Sequence, residues 1–254
     1  MDGAPVDRDR KSGFDPSGID PEEWEELERQ LEASIPVYDR VNRIMTLGQD
    51  RRWRRHVRTF ASPGMKVLEV GCGPGSFAED LIGVELTCLD PSAMMLQVAT
   101  ERVGRARASR GESEASFVEA TAESIPLPDN SFDRVFCLFS FRDFHDKRRG
   151  LEEIMRVLKP GGVLVICDAG KGPWPHGMLG WIWMNTVVQV AARVVLRTWD
   201  HPFRWLARTY THYGTNGYYR RMLSEVGYEQ VSGRLMWPFL MASRFKATKP
   251  DHLN

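Results

Sequence analysis

The chain has 254 residues, and its 34 basic and 34 acidic side chains give a formal net charge of zero. This length allows one domain with a sizeable core plus additional segments, and the neutral balance gives no reason to expect nucleic-acid binding. None of its four cysteines has the spacing of a metal site. We therefore expect buried free thiols in a reducing cytoplasm and no bound metal.

The first 62 residues are predicted to form a tail and a helical cap. Residues 1–20 are polar, do not resemble a signal peptide and predict a disordered tail. The run Asp20-Pro21-Glu22-Glu23 has the residue types of a helix start. A second helix is predicted from Tyr38, and Asp50 is placed to cap a third. Residues 21–62 are therefore expected to form the cap.

A glycine-rich turn follows the first predicted strand. The run Val67-Leu68-Glu69-Val70-Gly71-Cys72-Gly73-Pro74-Gly75 predicts a buried parallel strand and a tight turn, in which a ligand can lie against bare backbone. A helix predicted from Phe77 would point its amides at the same turn. The spacing is neither the dinucleotide fingerprint nor a P-loop. Because Glu69 would repel a pyrophosphate, a cationic ligand such as S-adenosylmethionine fits better.

Further candidate cofactor residues lie at the ends of the next strands. The second predicted strand ends in Asp90, about 20 residues after the turn, where a ribose diol would be held. Pro91 opens a helix, in which Met95 is either an adenine contact or a core residue. The loop after the third strand and the end of the fourth supply the other candidates, which are Thr121, Ala122, Glu123 and Phe139.

The candidate reacting groups come directly after the fourth predicted strand. Ligands of open α/β sheets lie beyond the carboxyl ends of the strands, so Arg142, Asp143 and His145 are expected at the reacting centre. Asp143 or His145 could remove the proton of an acceptor hydroxyl. Each also has a structural interpretation, since His145 could be a surface histidine, and Asp143 could cap the next helix or pair with Arg142.

The alternation of short strands and helices predicts a doubly wound α/β sheet with right-handed crossovers. The later elements are expected to include a helix stopped by a Lys-Pro-Gly-Gly run and a final strand bent at a proline. These elements are a helix at 147–158, a strand at 163–168, a helix at 217–226 closed by Gly227, and strands at 229–232 and 235–248.

The most hydrophobic stretch lies within a predicted helical insertion at residues 171–215. On one helix through 178–197, the polar residues Asn185, Gln189, Arg193 and Arg197 would form a single stripe. Three interpretations are open: a transmembrane helix, a buried lid over the substrate pocket, and an interfacial helix in peripheral membrane contact through residues 178–208. The last two can hold together.

Four motifs resemble those of class I S-adenosylmethionine-dependent methyltransferases. These are Glu69 to Gly75, Asp90, Ile125 to Asp133, and Arg156 to Gly162. The resemblance spans about residues 65–168 and implies a Rossmann-like sheet of seven strands. With the residues above, it places the cofactor domain at residues 63–254.

A narrower resemblance is to the ubiquinone/menaquinone biosynthesis C-methyltransferases. Tyr38-Asp39-x-x-Asn42, with Leu47-Gly48 and Arg52-Trp53-Arg54, is similar to the N-terminal signature of that family, and Phe141 to Lys147 to its segment after strand four. The resemblance implies that Tyr38 closes over the cofactor and that Arg142 and Asp143 border the quinol ring. Asp143 stands where the family usually has Asn, and Thr121 where it usually has Asp.

The sequence therefore predicts a methyltransferase that uses S-adenosylmethionine to C-methylate a lipophilic quinol precursor. We expect the protein in the cytoplasm, on the inner face of the membrane, without a nucleic-acid partner. One alternative is a methyltransferase for another small molecule or a phospholipid. Another is a non-catalytic, membrane-associated protein that binds the cofactor.

Overall fold

The computed structural model describes residues 29, 32–33, 35–170, 176–196, 213–236 and 242–251. Several predictions lie outside these residues: the tail at 1–20, the start of the first helix, the bend at Pro238, and the insertion beyond Leu196, which includes Arg197.

Seven strands form one sheet in the order β3-β2-β1-β4-β5-β7-β6. The first five are parallel, and β7 runs antiparallel between β5 and β6. This arrangement confirms the predicted seven-stranded, Rossmann-like α/β fold. The strands are β1 Lys66–Val70, β2 Glu85–Asp90, β3 Ser116–Glu119, β4 Phe132–Leu138, β5 Leu158–Ala169, β6 Glu229–Leu235 and β7 Ala242–Thr248.

Helices cover both faces of the sheet and bury two apolar clusters. One cluster includes Trp53, Val57 and Ala99, and the other includes Leu151 and Met222. All four cysteines are buried free thiols, as predicted. The α-helices are α1 Tyr38–Met45, α2 Gln49–Arg58, α3 Ala93–Ser109, α4 Lys147–Val157, α5 His176–Asn185, α6 Val187–Leu196 and α7 Asn216–Val226.

Two predictions about helix starts were wrong. The helix expected from Phe77 is only a 3-10 turn at Ala78–Asp80, because Leu81 is already extended and β2 begins at Glu85. Asp50 does not cap α2. Gly48 holds that position in the left-handed conformation, with φ of 75°, and the backbone N–H of Asp50 donates instead to the Thr46 hydroxyl.

Two strand predictions also need correction. The fifth strand begins at Leu158 rather than Val163, because Leu158 pairs with Phe132 before a register shift in β4. The stretch from Leu235 to Thr248 is not one strand. Leu235 ends β6 and pairs with Ser243 of the antiparallel β7, so the chain must reverse between them. The helix closed by Gly227, with φ of 108°, was predicted correctly.

The described part of the insertion, residues 176–196, forms two helices of 10 residues each, α5 and α6, instead of one continuous helix. Thr186 lies between them, and its hydroxyl donates to the Ile182 carbonyl. Within the described ranges, no helix is long and apolar enough to cross a membrane.

Candidate active site

A cavity with an empty volume of about 760 Å³, including space open to solvent, lies beyond the carboxyl ends of β1, β2 and β4. Most residues predicted from the sequence line it: Tyr38, Gly71, Gly73, Asp90, Pro91, Met95, Thr121, Ala122, Glu123, Phe139, Arg142, Asp143 and His145.

The glycine turn presents bare backbone to the cavity. Gly73 has a φ of 52°, and a Cβ there would meet no atom within 4 Å. Its N–H donates to Asp90 Oδ2 at 2.7 Å, while Asp90 Oδ1 accepts from the N–H of Ser92 at 3.1 Å. Asp90 is thereby fixed at the end of β2, beside the turn that the ligand would contact.

Glu69 and Gly75 do not line the cavity, although both were predicted to bind the cofactor. A Cβ on Gly75 would lie 2.9 Å from Val103 Cγ2 of α3, so this glycine permits close packing of the helix. Glu69 is 1% exposed. Burial raises the pKa of its carboxyl well above the usual range, and Arg54 opposes that shift.

The charges around the cavity fit a cationic ligand. Four carboxyl side chains line it, together with one guanidinium and one imidazole. A pyrophosphate would be repelled by this excess of acids, whereas a sulfonium and an amino group would be attracted. With the open backbone at Gly73 and the carboxylate of Asp90, the donor set fits S-adenosylmethionine. The carboxyl groups belong to Glu32, Asp90, Glu123 and Asp143.

Glu32 is a cavity residue that the sequence did not indicate. The Ser92 hydroxyl donates to Glu32 Oε1 at 2.5 Å and accepts the Met95 N–H at 3.1 Å as the cap of α3. Met95 itself is 5% exposed and lines the cavity. The N-terminal segment thus reaches the helix that opens after Asp90.

A buried group of charges forms the other end of the cavity. Asp168, at the end of β5, accepts the Arg142 backbone N–H at 2.9 Å and Arg142 Nη1 at 3.0 Å. Arg142 Nε lies 3.4 Å from Asp143 Oδ1. One guanidinium is therefore held between two carboxyl groups. Asp168 was not predicted, although the argument from strand ends applies to it equally.

Burial and the neighbouring charges shift the pKa values of both Asp143 and Arg142. Burial raises the pKa of Asp143 to about 6, with Asp168 adding to the shift and Arg142 opposing it. Burial by itself would lower the pKa of Arg142, but Asp143 and Asp168 raise it above its usual value. Arg142 therefore stays charged, and Asp143 can exchange a proton near neutral pH.

Helix α1 brings Tyr38 to the cavity and is fastened to the cofactor turn by Asp39. Asp39 Oδ1 accepts from the Ser76 hydroxyl at 2.6 Å, and Asp39 Oδ2 lies 2.7 Å from Arg102 Nη2 of α3. Arg54 of α2 is more distant, with Nη1 3.9 Å from Asp39 Oδ1. We call Asp39, Ser76, Arg102 and Arg54 the cap clasp.

The fold and this site together define a class I S-adenosylmethionine-dependent methyltransferase. The chain belongs to the ubiE/COQ5 methyltransferase family, whose model matches residues 27–238. Tyr38, Arg142, Asp143 and His145 all fall within that match.

Individual relatives agree with this assignment. The demethylmenaquinone methyltransferase of Bacteroides fragilis is 29% identical over 242 residues, which cover 92% of this chain and 96% of that protein. The protein of the same name from Deinococcus radiodurans is 36% identical over 159 residues, covering 60% and 64%. Among solved structures, a Thermotoga maritima methyltransferase described as a possible histamine N-methyltransferase matches with a TM-score of 0.59. It is 18% identical and covers 88% of this chain and 99% of its own, so it supports the fold alone.

Proposed function

We propose that this enzyme C-methylates a lipophilic quinol precursor, with demethylmenaquinol as the first acceptor to test. The observation that carries the proposal is the buried Asp143–Arg142–Asp168 group at one end of the cavity. The chain also belongs to a family whose relatives include demethylmenaquinone methyltransferases. A guanidinium fixed by two carboxyl groups suits a ring oxygen that becomes negative during the reaction.

The chain's own residues have separate roles at the two ends of the cavity. Bound S-adenosylmethionine supplies the electrophilic methyl group. Gly73 and Asp90 hold the cofactor at the glycine turn, and Tyr38 covers it. At the other end, an Asp143 carboxylate oxygen accepts the proton of the acceptor hydroxyl, while Arg142 stabilises the oxyanion. His145 lies at the same end and is the second candidate base.

The acceptor's route involves the insertion, which we propose to be both a lid and a membrane-facing element. Helix α6 packs against α1, the helix that carries Tyr38. Buried side chains recur at every fourth residue and define the inward face. These are Met184, Val188 and Ala192, which are at most 8% exposed. An element that covers the cofactor site with its inward face and meets the membrane with its outward face can deliver a lipid-tailed acceptor from the bilayer to the site.

The outward face of α5 and α6 is unusually apolar. Seven of the ten exposed large apolar side chains in the described ranges lie here, with exposed fractions of 41 to 71%. The side-chain amide of Asn185 donates to the Trp181 carbonyl at 2.9 Å, and that of Gln189 donates to the Met184 carbonyl of α5 at 3.0 Å, which lowers the cost of an apolar setting. We call these seven residues the apolar face: Met178, Leu179, Trp181, Ile182, Val187, Val190 and Val194.

The proposal is tested by following a methyl label into lipid. The purified enzyme is incubated with methyl-labelled S-adenosylmethionine and reduced demethylmenaquinone, and the organic extract is resolved by chromatography and mass spectrometry. Parallel reactions contain phosphatidylethanolamine vesicles or no acceptor, and Asp90→Ala serves as the cofactor-binding control. A labelled quinol with the methyl on a ring carbon supports the proposal. Label only in phospholipid, or no transfer while the cofactor still binds, refutes it.

A further inference from the structure

Tyr213 is a buried tyrosine whose hydroxyl has no hydrogen-bond partner among the described residues. The residue is 3% exposed, and its hydroxyl makes no hydrogen bond in the structure as described. Leaving such a group unpaired destabilises the folded state. Folded proteins seldom retain such a group without a reason, and a ligand that supplies the missing partner is one such reason.

The ring of Tyr213 belongs to an aromatic cluster that reaches the turn carrying Arg142. It packs on Tyr219 with 4.7 Å between ring centroids, and the Tyr219 hydroxyl accepts the Gly214 N–H at 3.0 Å. Tyr219 also contacts Phe141, the residue before Arg142, with 5.3 Å between centroids. This chain of aromatic contacts fixes Tyr213 relative to the turn that carries Arg142 and Asp143.

A second connection runs through the strand ends. Asp168 of β5 pairs with Ser243 of β7, and the Ser243 hydroxyl donates to Asn216 Oδ1 at 2.6 Å, three residues after Tyr213. The electrostatic setting agrees, since burial raises the pKa of Tyr213 well above its usual value, and Asp168 adds to the shift while Arg142 opposes it. Tyr213 thus belongs to the surroundings of the Asp143–Arg142–Asp168 group.

We infer that the Tyr213 hydroxyl binds a ring oxygen of the methyl acceptor beside the Arg142 guanidinium. This inference rests on the proposed function and deepens it, because it adds an acceptor-binding residue from the segment that precedes α7. A hydroxyl can donate to a ring oxygen of the bound acceptor both before and after negative charge grows there, so its loss should weaken acceptor binding.

Tyr213→Phe tests the inference, and Tyr228→Phe is a matched control. Tyr228 is also 3% exposed, but its hydroxyl donates to the Leu151 carbonyl at 3.0 Å. We expect Tyr213→Phe to raise the KM for short-tailed demethylmenaquinol by about threefold to tenfold, from the usual worth of one hydrogen bond. Its Tm should not fall, and its Kd for S-adenosylmethionine should not change. Tyr228→Phe should lower the Tm and leave the KM for the acceptor unchanged.

The outcomes separate the two proposals. An unchanged acceptor KM in Tyr213→Phe, with an active wild type, overturns this inference and leaves the proposed function intact. A fall in Tm equal to that of Tyr228→Phe also overturns it, because the hydroxyl would then have a structural partner. A wild type that binds the cofactor but transfers no label to the quinol overturns both.

Discussion

At the scale of single residues, Asp143 combines two properties that are rarely found together. Its carboxyl is buried next to a guanidinium, yet its pKa is raised to about 6 because burial and Asp168 outweigh the attraction of Arg142. A carboxyl group with an ordinary pKa would be a weak base. At about 6, Asp143 is ionised at neutral pH and still basic enough to take a proton from a quinol hydroxyl.

The pH dependence of the reaction follows from that value. A base must be unprotonated to act, so kcat/KM should fall as the pH is lowered through about 6. Asp143→Asn should remove this acid limb and reduce kcat by about 10²-fold or more, from the usual contribution of a general base. The measurement is a pH–rate profile with demethylmenaquinol.

His145 lines the same cavity and provides the comparison. In His145→Gln, the acid limb should persist if Asp143 is the base. If the limb instead disappears in His145→Gln and remains in Asp143→Asn, His145 is the base, and the role assigned to Asp143 is wrong.

At the scale of secondary-structure elements, helix α1 depends on the cap clasp for its position over the cofactor turn. Asp39 is its centre. Burial alone would raise the pKa of Asp39, but the Ser76 hydrogen bond and the charges of Arg102 and Arg54 lower it. The cap clasp therefore stabilises the ionised form of Asp39. Because Tyr38 is the adjacent residue, loss of the Asp39 contacts should also make the position of Tyr38 at the cavity less well fixed.

Asp39→Asn should therefore weaken S-adenosylmethionine binding by about tenfold, the usual worth of a charge-assisted hydrogen bond. Calorimetric titration measures this change. Asp133→Asn is the control, because Asp133, like Asp39, is paired with a basic side chain and accepts a second hydrogen bond. Its carboxylate accepts from Lys159 Nζ at 2.7 Å and from the Lys66 N–H at 2.8 Å, but at the opposite end of β1. The control should lose stability without losing cofactor affinity. Equal affinity losses in both variants would mean that Asp39 acts only through general stability.

At the scale of the whole molecule, the apolar face is an exposed surface of α5 and α6, and α6 packs on α1, which carries the cavity residue Tyr38. A soluble protein rarely exposes a continuous apolar surface without a partner. A bilayer is the partner that suits an enzyme with a lipophilic acceptor, and Trp181 on this face is a residue type that favours the interface.

Flotation with anionic vesicles measures this association. Val190→Asp with Val194→Asp places two charges one helical turn apart on the apolar face and should reduce the floated fraction severalfold, because charged groups resist transfer from water. Cofactor affinity should not change. Ile82→Asp is the matched control, since Ile82 is 49% exposed but lies outside the apolar face. Equal flotation of the double variant and the wild type would refute the membrane contact.

The sequence by itself determined the parts of the protein that local patterns encode. Strand, glycine turn and Asp90 follow one another within a short stretch, and Arg142, Asp143 and His145 come directly after a buried strand. Since the carboxyl ends of parallel strands meet at one edge of a sheet, these residues could be assigned to one site before any coordinates were considered.

Only the tertiary structure decided which distant side chains join that site and which way the local ones face. Glu32 and Ser92 are 60 residues apart, and Asp168 approaches Arg142 from the end of β5. No periodicity in the chain encodes such pairings. Conversely, Glu69 and Gly75 carry the motif but face Arg54 and α3, because helix packing rather than the local pattern sets their surroundings.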